Sequence, residues 1–594
     1  MNLIVKIWNI KEETLSLRQI FERQQFFKNK FFIMKKILSL MCAVAAILCM
    51  TSCGKKLEPL TADNFTCNPS PLVEVGGKVE ATITVTYPEK YFKKKAILTV
   101  TPVLVYASGE TASEPVTFQG EKIYGNDNTI SYKYGGNATF KASFDYKDEM
   151  ANSKLYLDFK AETKSGKVYT LPRIAIADGV IATESLATGY GATPAYSSDN
   201  FVKDTFDKYI ANLIYQKNSS NLRSSETKKA EMQEVEAMIK ATKDEERREF
   251  EGIEMVSTAS PEGAYTLNER LADKRESAST KYLQKMLKKA KMEGQITPEQ
   301  VAENWEGFKE LVEQSNLQDK ALVLNVLARI SDPEQREQEI RNLSAAYKEL
   351  AEDILPQLRY SKVTATVKNI GHTDDEILAL VNSDSQALTL EELLYAANLV
   401  KENSKKVEIL KIADKNFPQD LRAKNNIADI CYKEGKYAEA ASIWKELAKK
   451  NPSMPEVNLN LGLIALNEGD LDKAASYFGK AGTCAEYGEA MGTLLTNQGN
   501  YSAACDYFGK AKTNNAAVAQ ICANNLSAAK STLEAIQNKD AMTHYLLAIV
   551  GARTNNSDTV ITNLKKAVAM DSSLKEKAAN DIEFAKFASI VNGL

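Results

Sequence analysis

The stretch 387–594 repeats itself, and a repeat constrains a fold more tightly than composition does. The interval from Pro418 to Pro452 is also the interval from Trp444 to Phe478. In one unit Ile427-Ala428, Gly435, Tyr437, Ala440, Trp444 and Pro452 stand where Leu461-Gly462, Gly469, Leu471, Ala474 and Phe478, followed by Ala481, stand in the next. A shorter unit carries Gly492, Gly499, Tyr501, Ala504, Phe508 and Ala511, a degenerate one covers 516–537, and a later one has Leu547-Ala548, Leu564 and Ala567. With Leu393, Leu394, Leu410, Ala413 and Pro418 opening the series there are about six units, enough to stack a continuous core that no single unit could bury alone. Small side chains at Ala428, Ala440, Gly462, Ala474 and Gly492 let paired helices approach, and Trp444, Phe478 and Phe508 fill the space between units.

This pattern resembles the tetratricopeptide repeat. The resemblance implies an α-solenoid whose concave face binds peptides or protein partners. Cys431, Cys484, Cys505 and Cys522 lie scattered in the helical sequence and read as small apolar packing residues.

The first half reads differently. Val79, Ala81, Ile83, Val85 and Tyr87 alternate with polar residues, as do Leu155, Leu157, Phe159 and Ala161, the period of strands with one buried face. Lys164-Ser165-Gly166-Lys167 before Val168-Tyr169-Thr170-Leu171 reads as a hairpin turn. A β-sandwich is expected over 53–184. Gly, Ser, Ala and Thr dominate SLATGYGATPAYSSDN, so a linker is expected over 185–203. Beyond it Met232, Val235, Met238 and Ile239 form the buried stripe of a helix.

Met34-Lys35-Lys36, an apolar run from Ile37 to Met50, and Thr51-Ser52-Cys53-Gly54 form a charged, then hydrophobic, then small-residue sequence too short to span a bilayer comfortably. It resembles a bacterial lipoprotein signal. The resemblance implies a signal peptide at 34–52, a lipid on Cys53, and an upstream extension at 1–33 that precedes the true start. It also implies an outer-membrane lipoprotein facing the periplasm, because Gly54-Lys55-Lys56-Leu57-Glu58 lacks the acidic cluster of surface-exported relatives.

Ile210 to Arg223 suggests a strand and an Asn/Ser-rich turn, and Phe250 to Val256 a second strand. The loop Ser257 to Gly263 and Asn268-x-x-Leu271-x-x-x-Arg275 follow. These segments resemble the OmpA-like, peptidoglycan-binding-type domain, here over 204–370 with a helical insertion at about 291–356. Within that insertion Pro298 to Leu355 reads as helix, with a helix start at Ser331-Asp332-Pro333-Glu334, before a closing strand from Leu358 to Val367. Helical repeats beside such an enlarged domain are similar to envelope lipoproteins of Bacteroidota. The family clamps the stem-peptide diamino acid between a loop Asp and a helix Arg. Gly263, Asn268 and Arg275 match the motif, but Ser260 replaces the Asp, leaving Glu262 to meet the ligand amine. The alternative for Arg275 is a surface arginine paired with Glu276 or Asp273. Gly371-His372-Thr373-Asp374 spells the loop motif literally, but Thr373-x-x-Glu376 is a capping box opening a helix, and 371–386 reads as a connector.

The whole is a multidomain α+β chain. A formal charge of -3 gives no electrostatic footprint for nucleic acid, and two histidines, His372 and His544, give a histidine-based metal site or catalytic triad almost nothing to be built from. No catalytic residue, metal or cofactor is expected. The expected function is that of a lipid-anchored, non-enzymatic envelope scaffold with peptidoglycan contact and protein partners held by the repeats. Its alternative is an adaptor of an assembly or secretion machine whose OmpA-like domain no longer binds peptidoglycan.

Overall fold

A computed structural model describes residues 57–594 apart from 126–127 and 164–165. The expected upstream extension, the signal at 34–52 and Cys53 lie outside the described residues. The chain divides into two compact units, one of 198–424 and one that joins the β-rich region before residue 198 to 425–594.

In the second of these units, Lys78–Tyr87 is the strand whose alternation the sequence displays. Val79, Ala81, Ile83, Val85 and Tyr87 are all buried, and the strand pairs antiparallel with Gly136–Asp145 in a register that sets Ala81 opposite Ala142 and Ile83 opposite Phe140. Its other edge carries Phe65–Asn68 and Leu72–Val75. In a second sheet Ile97–Tyr106 lies between Ser153–Glu162 and Val116–Gly120. Side chains from both sheets meet in one apolar cluster that includes Ile83, Val100, Phe118, Phe140 and Leu157. Ser153–Glu162 turns back into Val168–Asp178, with the Thr163 N–H donating to the Lys167 carbonyl at 3.1 Å and Gly166 at φ +77°. Lys164 and Ser165 of that turn lie outside the described residues.

The same unit contains five helix pairs: Arg422–Lys433 with Tyr437–Lys450, Pro455–Asn467 with Leu471–Phe478, Tyr487–Asn497 with Tyr501–Phe508, Asn514–Cys522 with Leu526–Ala535, and Ala541–Arg553 with Ser557–Met570. The small-residue positions have a direct steric cause. A Cβ on Gly462 would stand 2.3 Å from the Phe478 ring, and one on Gly492 would stand 2.7 Å from the Phe508 ring. Ala428, Ala440, Ala474 and Trp444 are buried beside them.

The other unit is built on a four-stranded sheet. Tyr360–Ile370 runs antiparallel between Asp204–Ile214 and Arg248–Thr258, and Gln295–Val301 adds in parallel beyond Arg248–Thr258. Helices Ala230–Ala241 and Tyr265–Ala290 bury Met232, Val235, Ile239, Leu283 and Met286 against Leu213, Ile253, Met255 and Val363. Gln295–Val301 corrects the expectation that Pro298 begins a helix: Ile296 pairs with Ile253, and Pro298 sits on an edge strand, where a missing N–H is tolerated. The strand was illegible because most of its side chains are polar and exposed, so no alternation marks it. After it, helices Trp305–Gln314, Lys320–Arg329 and Pro333–Asn342 enclose a separate core of Phe308, Val312, Val323 and Ile340. Asp332 caps the last of these through the Gln335 N–H at 2.9 Å, and Thr373 and Glu376 form the capping box read from the sequence. His372 Nδ1 lies 2.6 Å from Glu392 Oε1.

Candidate peptide-binding groove

The first helix of each repeat pair carries polar residues at positions where a helix packed on both sides would carry apolar ones. Asn425, Asn426, Asn460 and Asn515 are buried. A buried carboxamide must find partners or lose the free energy of desolvation. Here the partner is the main chain of the segment expected to be a free linker. That expectation is corrected: Ala187, Gly189, Ala192, Pro194, Ala195 and Ser197 are buried against the repeats.

Three asparagines each hold the N–H and the C=O of one residue, as a neighbouring β-strand would. Asn460 Oδ1 accepts from the Ala195 N–H at 2.7 Å while its Nδ2 donates to the Ala195 carbonyl at 3.0 Å. Asn426 treats Ser197 the same way, with both bonds at 2.8 Å. Asn515 does so for Thr188, at 3.3 and 2.8 Å. Between these points the Tyr432 hydroxyl donates to the Gly189 carbonyl at 2.5 Å, Asn467 Oδ1 accepts from the Tyr190 N–H at 3.0 Å, and Glu489 accepts from the Thr193 N–H at 3.2 Å. Asn497 Nδ2 donates to the Ala187 carbonyl at 2.8 Å. At the three asparagine clamps the segment runs against the order of the repeats, with Thr188 on Asn515, Ala195 on Asn460 and Ser197 on Asn426.

The repeat framework orients these amides. Trp444 Nε1 donates to Asn425 Oδ1 at 3.0 Å, and Asn425 Nδ2 then donates to the Ala195 carbonyl and to Ser197 Oγ. Trp444, legible only as a space-filler, therefore also fixes a hydrogen-bonding group. Side-chain size on the segment is limited by contact: a Cβ on Gly189 would lie 2.3 Å from the Leu463 carbonyl oxygen, and one on Gly191 2.8 Å from Asn515 Oδ1. Tyr190 and Tyr196 are the large exceptions, Tyr190 stacked on Tyr437 with ring centroids 3.9 Å apart and Tyr196 with Lys433 Nζ over its ring at 5.9 Å. Upstream, the Glu184 carboxylate accepts from the Gly76 and Gly77 N–H groups at 3.1 and 3.3 Å and from the Tyr501 hydroxyl, and its pKa is raised by burial. Ser185 Oγ donates to Glu74 at 2.6 Å, and burial raises the Glu74 pKa to about 7.

Trp444, Tyr437 and Tyr501 were singled out only as repeat positions, and the asparagines of the groove not at all. The signal that could have found them is Asn426 and Asn460, one repeat apart, each an amide in an otherwise apolar helical pattern.

The residues the sequence did single out, in the sheet-based unit, are gathered but turned inward. Arg275 is 1% exposed, and its guanidinium donates to the carbonyls of Ser219 at 3.0 Å, Thr258 at 2.7 Å and Gln216 at 3.3 Å, over the Tyr215 ring. Neither Glu276 nor Asp273 pairs with it. Burial lowers its pKa to about 10. Ser260 Oγ donates to Glu262 at 2.7 Å, and Glu262 is held by Arg359 at 2.6 Å and by Lys217 at 3.0 Å. Burial alone would raise the Glu262 pKa, but Ser260, Lys217 and Arg359 outweigh it and the net shift is downward. Asn268 Nδ2 donates to the Gly263 carbonyl and to Glu303. Arg359 and Lys217, which neutralise Glu262, were missed because they lie far from the loop in sequence. Among the described residues no group of three His, Cys, Asp or Glu is arranged to hold a metal ion.

Residues 426–487 match the tetratricopeptide repeat family, so the helix pairs there belong to that class of repeat. Among solved structures the chain is similar to a tetratricopeptide repeat protein from Parabacteroides merdae ATCC 43184, at 14% identity over 48% of this chain and 99% of that one, with a TM-score of 0.26. It is also similar to YrrB, described as a TPR protein with an unusual peptide-binding site, at 16% identity over 28% of this chain and 94% of that one, TM-score 0.21. The human IFIT1 dimer with PPP-AAAA is similar at 12% identity over 60% and 77%, TM-score 0.28. No curated protein matches.

Proposed function

We propose that this chain is a non-enzymatic scaffold of the cell envelope, anchored in the outer membrane through a lipid on Cys53, facing the periplasm and recruiting protein partners through its repeats. The observation that carries the scaffold reading is the set of repeat asparagines that grip an extended main chain at Thr188, Ala195 and Ser197. Groups that bond to backbone on both sides of a residue suit peptide capture, since they recognise any extended segment whose side chains fit. The anchor rests on the sequence from Met34 to Gly54. Cys53→Ser should move the protein from the membrane fraction to the soluble one; an unchanged membrane fraction refutes the anchor.

The 204–370 region is read as OmpA-like, and one observation favours the version of this reading in which wall contact has been lost. Arg275 spends its donors on three carbonyls and Glu262 is already neutralised by Arg359 and Lys217, so neither offers a free charge to a diamino acid. The purified protein should therefore fail to co-sediment with peptidoglycan. Saturable co-sedimentation would restore the wall-binding reading.

A further inference from the structure

We infer that residues 187–197 are a placeholder in the repeat groove, and that the groove's partner is an extended segment of another protein. That segment would carry small residues where Gly189, Gly191, Ala192, Ala195 and Ser197 now lie and an aromatic at the position of Tyr190. This rests on the scaffold reading and names the chemistry of its partner.

Three features separate a placeholder from a permanent strut. First, the grip is on main-chain groups. The N–H and C=O of Thr188, Ala195 and Ser197 are taken by Asn515, Asn460 and Asn426, and any segment of matching shape offers the same groups. Second, the fit is selective by size. The 2.3 Å approach of a Cβ at position 189 to the Leu463 carbonyl and the 2.8 Å approach at position 191 to Asn515 exclude branched side chains there, while Tyr437 supplies a stacking surface for one ring. Third, the present occupant leaves part of the groove unpaired: Glu489 Oε1 is buried with no hydrogen-bond partner among the described residues. A segment that donates to this acceptor gains what the present one forgoes.

The placeholder has the advantage of attachment, which acts as an effective concentration on the order of millimolar for a short tether. A free peptide of equal fit therefore binds the unaltered chain weakly, and weakening the tethered copy exposes the groove's full affinity.

The test uses a fluorescein-labelled peptide, SLATGYGATPAYSSD, and the full chain lacking only its membrane anchor. Gly189→Val with Ala195→Arg weakens the tethered copy and leaves the repeats untouched. Anisotropy should show this variant binding the peptide about tenfold or more tighter than the unaltered chain. Adding Asn426→Ala and Asn460→Ala should remove the gain. Equal binding by both chains, with helical content unchanged by circular dichroism, overturns the inference. So does a gain that survives loss of both asparagines.

Hydrogen exchange on the unaltered chain gives a second readout that needs no variant. Peptide raised above the tether's effective concentration, to about 10 mM, should speed exchange at the amides of Ala195 and Ser197, and unchanged protection at that concentration overturns the inference. A concentration-dependent dimer with exchanged segments would also overturn it, assigning the groove to a second copy. Because each readout is made on purified protein, a negative result refutes this groove chemistry alone. The scaffold reading fails separately, if partners bind equally well to a chain lacking 425–594.

Discussion

Arg275 and Asn460 do the same chemical task in different units, and the contrast shows why only one of them builds a binding surface. Each is a buried, forked polar side chain aimed at main chain. Arg275 bonds carbonyls of Gln216, Ser219 and Thr258, which belong to the turn and strand end packed around its own helix, so its charge is consumed in closing a local structure. Asn460 bonds both groups of Ala195, a residue 265 positions earlier. An amide offers donor and acceptor together and can copy a strand edge; a guanidinium offers donors only. The first geometry accommodates a replaceable segment, and the second locks what is already there.

The largest effect should come from breaking the locked side. Arg275→Ala leaves the buried Thr258 carbonyl without a partner, strips those of Ser219 and Gln216, and deletes a large buried side chain, for a loss of about 3 kcal/mol or more in a denaturant titration of the sheet-based unit. If the loss is under about 1 kcal/mol, the site is wetter and more open than its hydrogen bonding implies. Next in size is Gly462→Ala. Helix propensity favours alanine by about 1 kcal/mol, but a Cβ 2.3 Å from the Phe478 ring forces repacking that costs about 1–3 kcal/mol. The variant should therefore be destabilised, and Phe478→Leu in the same chain should recover part of the loss. Stabilisation by Gly462→Ala alone would show that the ring yields freely.

Asn460→Ala should cost about 1–2 kcal/mol, since it removes both bonds to Ala195 but leaves the segment held by Asn425, Asn426 and Asn515. Hydrogen exchange at Ala195 should rise much more than exchange in the Pro455–Asn467 helix. Equal rises would mean the asparagine supports the helix stack rather than the segment, and the contrast with Arg275 would collapse.

The parts of the molecule written in periodic patterns are legible in the sequence alone. The alternation of Val79 to Tyr87 announces its strand because one face is buried and the other is not. The spacing of Gly462, Ala474 and Phe478 announces paired helices because a ring needs a gap beside it. Gln295–Val301 escaped because a sheet edge with polar, exposed side chains has no pattern to display. The groove escaped for another reason. Its ligand is SLATGYGATPAYSSDN, whose small residues mean flexibility in an isolated chain and close fit once a surface of amides is supplied. Composition does not separate the two, because the deciding partner lies more than two hundred positions away. At Arg275 the motif placed the residue correctly but not its bonds, since the carbonyls it meets carry no sequence signature.

The smallest expected effect concerns the entrance of the segment, where its first residues meet the β-rich region of the same unit. Glu74 is buried beside Ser185 and near Glu184, and burial raises its pKa from the usual carboxylate value of 4.5 to about 7. The folded chain therefore holds a proton there that the unfolded chain releases, so the contribution to stability is complete below pH 4.5 and is lost as pH rises through about 7. Glu74→Gln keeps a neutral group of similar shape at every pH. Melting curves at a series of pH values should show the unaltered chain losing stability relative to Glu74→Gln as pH rises from 5 toward 8, and parallel curves would mean that Glu74 remains ionised. Ser185 belongs to the segment, so the same loss should reach the groove. Above pH 7 a buried, ionised Glu74 stands where the segment begins, which should raise hydrogen exchange at Ala187 and Thr188 before it affects Ser197. Exchange that rises uniformly from 187 to 197 would instead mean that the segment leaves the groove as a single piece.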